Sequence, residues 1–202
     1  MERGSAFVKV PKERIGALIG PEGHVKTSLE KRLSVELQIN SQTGDVEITL
    51  TPTAQDPTVL FRAKEVVTAI GRGFSPEHAF RLLEDDETVL EVIDLRETAG
   101  RSQSEMKRLK GRIIGKEGKT RRIIEELTEA NISVYGHTVS VIGTIDQTEV
   151  AKEAIQMLIR GSLHGTVYRF LHRKRRDLKK KKMELWETRT EDWPHRGINP
   201  RV

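Results

Sequence analysis

"GRIIGKEGKT", residues 111–120, ends in Gly-Lys-Thr and so invites reading as a phosphate-binding loop of a nucleotide hydrolase. The register excludes that. Such a loop needs a glycine five residues before its Gly-Lys, so that successive backbone amides can wrap the phosphates. That position is Ile113, and the neighbouring glycines stand at 111 and 115. The stretch takes another meaning because it occurs twice: "IGALIGPEGHVKTSLE" starts at Ile15 and "KGRIIGKEGKTRRIIE" at Lys110. Gly16, Ile19, Gly20, Glu22, Gly23 and Glu30 match Gly111, Ile114, Gly115, Glu117, Gly118 and Glu125 at an offset of 95. Farther on, "AKEVVTAIGRG" from Ala63 matches "AKEAIQMLIRG" from Ala151 at an offset of 88. The seven residues lost fit a longer turn between strands in the first copy. A duplicated domain is the economical reading.

The 202 residues suffice for two domains of under 100 residues each. Cysteine is absent, which excludes disulfides, thiol catalysis and cysteine-ligated metal sites. No apolar run approaches membrane-spanning length and none near Met1 reads as a secretion signal, so a cytoplasmic protein with no membrane partner is expected. The formal charge of +5 is concentrated. Residues 173–182, "RKRRDLKKKK", carry eight basic and one acidic side chain, and the rest of the chain is then close to neutral. Such a distribution suits a polyanion met at defined patches.

Each copy reads as strand, helix, glycine turn, helix, strand, strand, helix. In the first, "AFVKVP" is a strand stopped by Pro11, and "KERIGALIG" a short helix. Val25, Leu29 and Leu33 place one apolar stripe on a second helix, "VELQI" and "VEITL" alternate as strands around "NSQTGD", and a third helix spans about 58–71. The second copy repeats this with "TVLEVIDL", "SEMKRLKGRIIG", the turn 115–118, a helix through Ile123, Ile124 and Leu127, the strands "ISVYG" and "TVSVIG", and a final helix through Val150 and Leu158. "FSPEHAFRLLEDDE" between them reads as one connecting helix started at Ser75-Pro76. Val167, Phe170 and Leu171 suggest that the basic run continues a helix docked by its start.

Ile-Gly-x-x-Gly between two short helices, found twice in this element order, resembles the KH RNA-binding domain. The resemblance implies an α+β fold of two tandem type I KH domains (βααββα), each a three-stranded sheet with helices on one face. The expected limits are 4–74 and 88–162 for the domains, 75–87 for the connector, 163–182 for a basic helix and 183–202 for a tail. The physical logic suits nucleic acid: the glycines keep side chains out of the turn, and amides opening the next helix favour phosphates. A KH turn clamps about four nucleotides over an apolar groove. Ile114 and Ile132 are expected to floor that groove in the second copy, Ile19 and Leu37 in the first. The expected RNA contacts in the second copy are Arg112, Ile114, Gly115, Lys116, Glu117, Gly118, Lys119, Arg121, Arg122 and Ile132. In the first copy they are Gly20, Pro21, Glu22, Gly23 and Lys26, and in the basic run Arg173, Lys174, Arg175 and Arg176.

The copies differ in charge. Residues 104–122 hold eight basic and two acidic side chains, whereas the aligned window 9–27 holds four and two. "GPEG" has no basic residue and Pro21 offers no amide, so the residues leave open whether the first turn grips RNA. The second is expected to carry more of the binding.

Over residues 4–182 the chain resembles the archaeal relatives of eukaryotic Pno/Dim-type ribosome-assembly proteins. The segments "AIGRGFSPEHAFRLL", "DLRETAGRS" and "RGSLHGTVYRFLHRKRRDLKKKK" carry that likeness, and the lack of a long N-terminal extension agrees with an archaeal form. The resemblance implies binding of single-stranded small-subunit ribosomal RNA near its 3′ end during ribosome maturation. It also implies protein partners, such as the endonuclease that trims that end or the alpha subunit of the tRNA-carrying initiation factor. An adaptor for other RNA, in decay or transcription, is allowed by the same residues. An enzyme is disfavoured: the phosphate-loop register fails and no carboxylate constellation supports a nuclease. No catalytic residue, cofactor or metal is expected, since "EDDE" at 84–87 reads as a solvated run and the six histidines lack zinc-ligand spacing. Trp186 and Trp193 are candidates for anchoring a partner protein or packing back on the body.

Overall fold

The structure, a computed structural model, describes residues 4–54 and 56–191, with side chains of the last helix described up to Lys180 and at Met183. Trp193 lies outside the described residues, as does the side chain of Trp186, so the expectation placed on them goes no further here. The first domain runs β1 (Ser5–Lys9), α1 (Lys12–Ile19), a 3-10 turn (Pro21–Gly23), α2 (His24–Leu33), β2 (Val35–Ile39), β3 (Asp45–Leu50) and α3 (Val59–Gly71). Then come α4 (Pro76–Phe80) and a 3-10 turn (Arg81–Leu83). The second domain holds β4 (Thr88–Asp94), α5 (Arg96–Ala99), α6 (Gln103–Ile114), a 3-10 turn (Lys116–Gly118), α7 (Lys119–Thr128), β5 (Asn131–Tyr135), β6 (Thr138–Thr144) and α8 (Ile145–Ile159). The chain's last described helix is α9 (His164–Glu191). The sheets are antiparallel with orders β1-β3-β2 and β4-β6-β5, so the third strand of each is central.

Sequence decides these elements locally. Val46 and Ile48 alternate on β3 and are buried, with Asp45 exposed between turn and strand. On α3, Leu60, Ala63, Val66, Val67 and Ile70 make one continuous buried face. The helix α8 opens with a capping box, in which Gln147 Oε1 accepts from the Thr144 amide at 3.0 Å.

Three expectations need correction, and one helix is new. The connector is not one helix: Ser75 accepts from the His78 amide and starts α4, but the chain tightens at Arg81 and straightens before Thr88. Four successive carboxylates at a helix C-terminus oppose its dipole, and Asp85 instead accepts from the Glu87 amide at 3.0 Å. They are exposed, as expected, and Asp86 pairs with Arg62 at 2.9 Å. The seven extra residues of the first copy do not all lie between strands. The registers Glu36↔Thr49 and Asn131↔Ile142 place two of them in the hairpin, and the other five lengthen the β3–α3 loop. The single-turn helix α5 was not foreseen. Finally, α9 continues past residue 182 to Glu191.

The two domains pack on each other. Every residue of β6 except Thr144 is buried, because its sheet is covered on both faces. Val139 and Val141 face the helices of their own domain, while Ile142 joins the first domain's core with Leu82 and half-buried Leu90. Polar contacts line the seam. Ser133 Oγ donates to the Arg72 carbonyl at 2.9 Å, Arg81 donates to Asn131 Oδ1, and Tyr135 donates its hydroxyl to Glu13 Oε2 at 2.9 Å. Burial, then the bond to Glu13, pushes the Tyr135 phenol up.

Candidate nucleic-acid interface

Both turns have the same backbone. Gly115 has φ 73° and ψ 176°, and an added Cβ would sit 2.3 Å from Thr120 Oγ1, so the position admits no other residue without a shift. Gly118, at φ 76°, meets nothing within 4 Å; here conformation alone demands glycine, and the space over the turn stays clear. Between them Glu117 is held left-handed at φ 53°, and Glu22 repeats this at φ 52°. Neither Gly23 nor Gly118 caps the following helix with a side chain; the first amides of α2 and α7, those of His24 and Lys119, donate back to the carbonyls of Pro21 and Lys116 and close each turn onto its helix.

The charged side chains around the turns divide into two groups. Lys116 and Lys119 are exposed. Arg122 is exposed too, and steadies the turn by donating to the Glu117 carbonyl at 3.1 Å. Others expected to be free are committed to structure. Arg112 donates to the carbonyls of Leu158 and Ser162 at 3.1 and 2.6 Å, clasping the end of α8. Arg14 does the same for α3, donating to the carbonyls of Ile70 and Phe74. These carbonyls are equivalent in the two copies, but the arginines come from positions one helical turn apart, so alignment of the repeats does not expose the clasp. Arg121 lies 3.7 Å from Glu125 and Lys26 3.7 Å from Glu30. Those glutamates accept from the Ile132 and Leu37 amides at 2.8 and 2.9 Å, tying each second helix to its edge strand. Their match between repeats was the signal for this structural tie, which the sequence reading did not use.

The groove lies on one side of α6. Met106, Lys110 and Ile114 recur every four residues and face the β5–β6 hairpin, where Met106 and Lys110 line a cleft with Gly136 and His137. Ile114 and Ile19 are half-buried and within reach of a base. Ile132 and Leu37 are not: at 4% and 1% exposed they back the groove from within the cores. At the cleft's far end Asp94 accepts from the Arg96 amide and side chain. The guanidinium bonds draw its carboxyl from an ordinary 3.8 down to about 2. On α9, Arg173 and Arg176 are exposed as expected. Lys174 instead lies 5.6 Å from the Phe170 ring centroid and 3.7 Å from Glu153, and Arg175 turns inward with its Nε buried. The turn of the first domain offers only exposed Pro21, Glu22, His24 and Thr27 around a shallow hollow. No group of metal-binding side chains and no helix able to cross a membrane occurs among the described residues.

Comparison with known proteins agrees with this geometry. Residues 89–176 match the model of the eukaryotic type KH-domain (KH-domain type I) and residues 5–85 that of the Krr1 KH1 domain. A KH domain-containing protein of Methanocaldococcus jannaschii is 46% identical over 98% of this chain and 87% of its own length. The RNA-binding protein pno1 of Dictyostelium discoideum is 28% identical over 80% of this chain and 67% of its own. Among solved structures, Dim2p of Pyrococcus horikoshii superposes with a TM-score of 0.78 at 49% identity, covering 84% of this chain and 99% of that one. A chain from the a/eIF2alpha–aDim2p–rRNA complex of the same organism does so at 0.81 and 48%, covering 87% and 96%. The two KH folds, their turns and this identity along nearly the whole length show that the chain belongs to the archaeal Pno/Dim-type family of tandem-KH proteins, which are RNA-binding proteins and not enzymes.

Proposed function

We propose that this protein holds single-stranded small-subunit ribosomal RNA, near the 3′ end, in the groove of its second KH domain while the ribosomal subunit matures in the cytoplasm. The observation that carries the reading is the second turn. There a glycine backbone clear of side chains, the N-terminus of α7 and the exposed ammonium groups of Lys116 and Lys119 converge beside half-buried Ile114. Phosphates would lie over Gly115–Gly118 and bases against Ile114, Met106 and the edge of β5. The first domain contributes chiefly through the seam that fixes β5, since its own turn lacks cations. The rRNA assignment and the alpha subunit of the tRNA-carrying initiation factor as a partner are supported by the likeness to the a/eIF2alpha–aDim2p–rRNA complex. The endonuclease that trims the 3′ end is proposed as a further partner, brought to RNA that the groove holds single-stranded.

Crosslinking in cells, followed by sequencing of the attached RNA, tests the assignment. Reads should concentrate at the 3′ end of the small-subunit rRNA. Recovery of mainly messenger RNA would favour the adaptor alternative and sink the ribosomal one.

A further inference from the structure

The two sheets share one strand order, yet the chain covers only the second on both faces. Strand registers align Phe7, Glu47 and Gln38 across the first sheet with Val92, Ser140 and Ser133 across the second. They likewise align Ser5, Thr49 and Glu36 with Leu90, Ile142 and Asn131. In the second sheet this face is the seam: Ile142 enters the first domain's core, while Ser133 and Asn131 bond to Arg72 and Arg81. In the first sheet the same face is open. Ser5, Phe7, Glu36 and Gln38 are exposed there, Phe7 at 67%.

The open face has a chemistry of its own. Its strands present three carboxylates, Glu36, Asp45 and Glu47, against one ammonium, that of Lys9, which lies 3.8 Å from Asp45 in an exposed pair. A chain of net charge +5 thus turns an anionic side outward here, which repels a phosphate backbone and attracts a cation. Beside the Phe7 ring is a hollow of about 490 Å³, lined by Gln38, Ile39, Asn40, Asp45 and Glu47. Its rim is the hairpin loop that is two residues longer than its counterpart in the second domain. The rim is fixed before any partner arrives. Asn40 Oδ1 accepts from the Gln42 and Thr43 amides at 2.9 and 3.1 Å, and the Val10 amide donates to the Gly44 carbonyl at 2.8 Å. An aromatic ring flanked by carboxylates suits arginine above other side chains. The guanidinium stacks on the ring while its N–H fork meets a carboxylate, and it is less strongly hydrated than a lysine ammonium. The chain uses this pairing on itself, with the Arg32 guanidinium 5.1 Å from the Phe80 ring centroid.

We propose that the open face of the first sheet docks a partner protein through a basic, arginine-bearing segment, with one guanidinium seated on Phe7 and bonded to Glu47. The charge of the face selects the partner's class, and the exposed ring anchors it. This surface is separate from the RNA groove and does not depend on RNA binding by the second domain.

Two measurements on the full chain test this. A fluorescent Gly-Ser peptide carrying three arginines should bind wild type at low salt, and more tightly than the same peptide with lysines. Phe7→Ala and Glu47→Gln should each weaken the arginine peptide about fivefold. Phe61→Ala, which removes an equally exposed ring (68%) from α3, should leave it within about twofold. None of these side chains is buried, so all three variants should melt close to wild type. In cells, a photoreactive benzoylphenylalanine in place of Phe7 should crosslink to arginine-containing peptides of another protein. Crosslinks to RNA, or to residues 173–182 of a second copy of this chain, would give the face a different occupant and overturn the proposal. A peptide affinity indifferent to Phe7 and Glu47, or no binding of the arginine peptide by wild type, would overturn it too. Single-stranded RNA should bind Phe7→Ala as tightly as wild type; a loss there would assign the face to the RNA track instead.

Discussion

At the scale of single residues, the two turns share a backbone and differ in charge. Placing Asp at both Lys116 and Glu117 removes an exposed cation and sets two anions where phosphates must approach. The glycines that shape the turn stay. The same change at Pro21 and Glu22 adds only one new charge, in a weaker field. Neither turn has a buried side chain to lose, so both variants should melt within about 0.5 kcal/mol of wild type. Titration with single-stranded RNA should show a large loss for the Lys116/Glu117 variant and a modest one for Pro21/Glu22. A larger loss from the first turn would reverse the ranking of the two domains. The glycines themselves were legible in sequence, because a repeated Ile-Gly-x-x-Gly states its conformation. What side chains do beside them was not. Arg112 and Arg121 read as free cations because sequence cannot show that a helix end or a glutamate one turn away already holds them.

At the scale of elements, helices of two or more turns were readable from apolar spacing, and α5 was not, because four residues hold no period. Its role is seen in Asp94, which bonds the Arg96 amide and guanidinium and so joins the end of β4 to the start of the helix. The depressed carboxyl makes a pH prediction. A group whose folded value lies below its unfolded one stabilises the fold fully above the unfolded value and loses that contribution as pH falls through the folded one. Wild type should therefore exceed Asp94→Asn in stability by a constant margin above about pH 4, narrowing toward pH 2. Chemical denaturation at a series of pH values checks this; a margin that persists at pH 2 would assign the loss to packing. The helix α9 makes a second prediction. Leu178 packs half-buried on the second core, so truncation before residue 173 should lower stability as well as RNA affinity. Truncation after Lys180 should leave the melting temperature nearly unchanged and reduce only the salt dependence of binding. If the shorter truncation leaves the slope unchanged, Lys181 and Lys182 serve something other than RNA.

At the scale of the whole molecule, the covering of the second sheet was the feature least visible in advance, although the sequence held a trace of it. "DVEITL" of β3 alternates with charges and leaves one face open, with Phe7 of the neighbouring strand 67% exposed. "TVSVIG" of β6 has no charge on either face, as a strand buried on both sides must. That asymmetry implies that the first domain is a cover for the second, and Gly73 stands where the two come close. Its φ of +99° already favours glycine, and an added Cβ would lie 2.7 Å from Ser133 Oγ and 2.8 Å from Tyr135 Cβ. Gly73→Ala should therefore push β5 away from the first domain and strain the bonds of Ser133 to Arg72 and of Tyr135 to Glu13. Wild type should unfold in a single transition reported alike by probes in either domain. The variant should lose about 1–3 kcal/mol, and its two domains should begin to melt apart. Because β5 is also an edge of the RNA groove, affinity for single-stranded RNA should fall with the seam, although no RNA contact has been altered. Unchanged melting together with unchanged affinity would mean that the second domain sets its own groove and needs no cover.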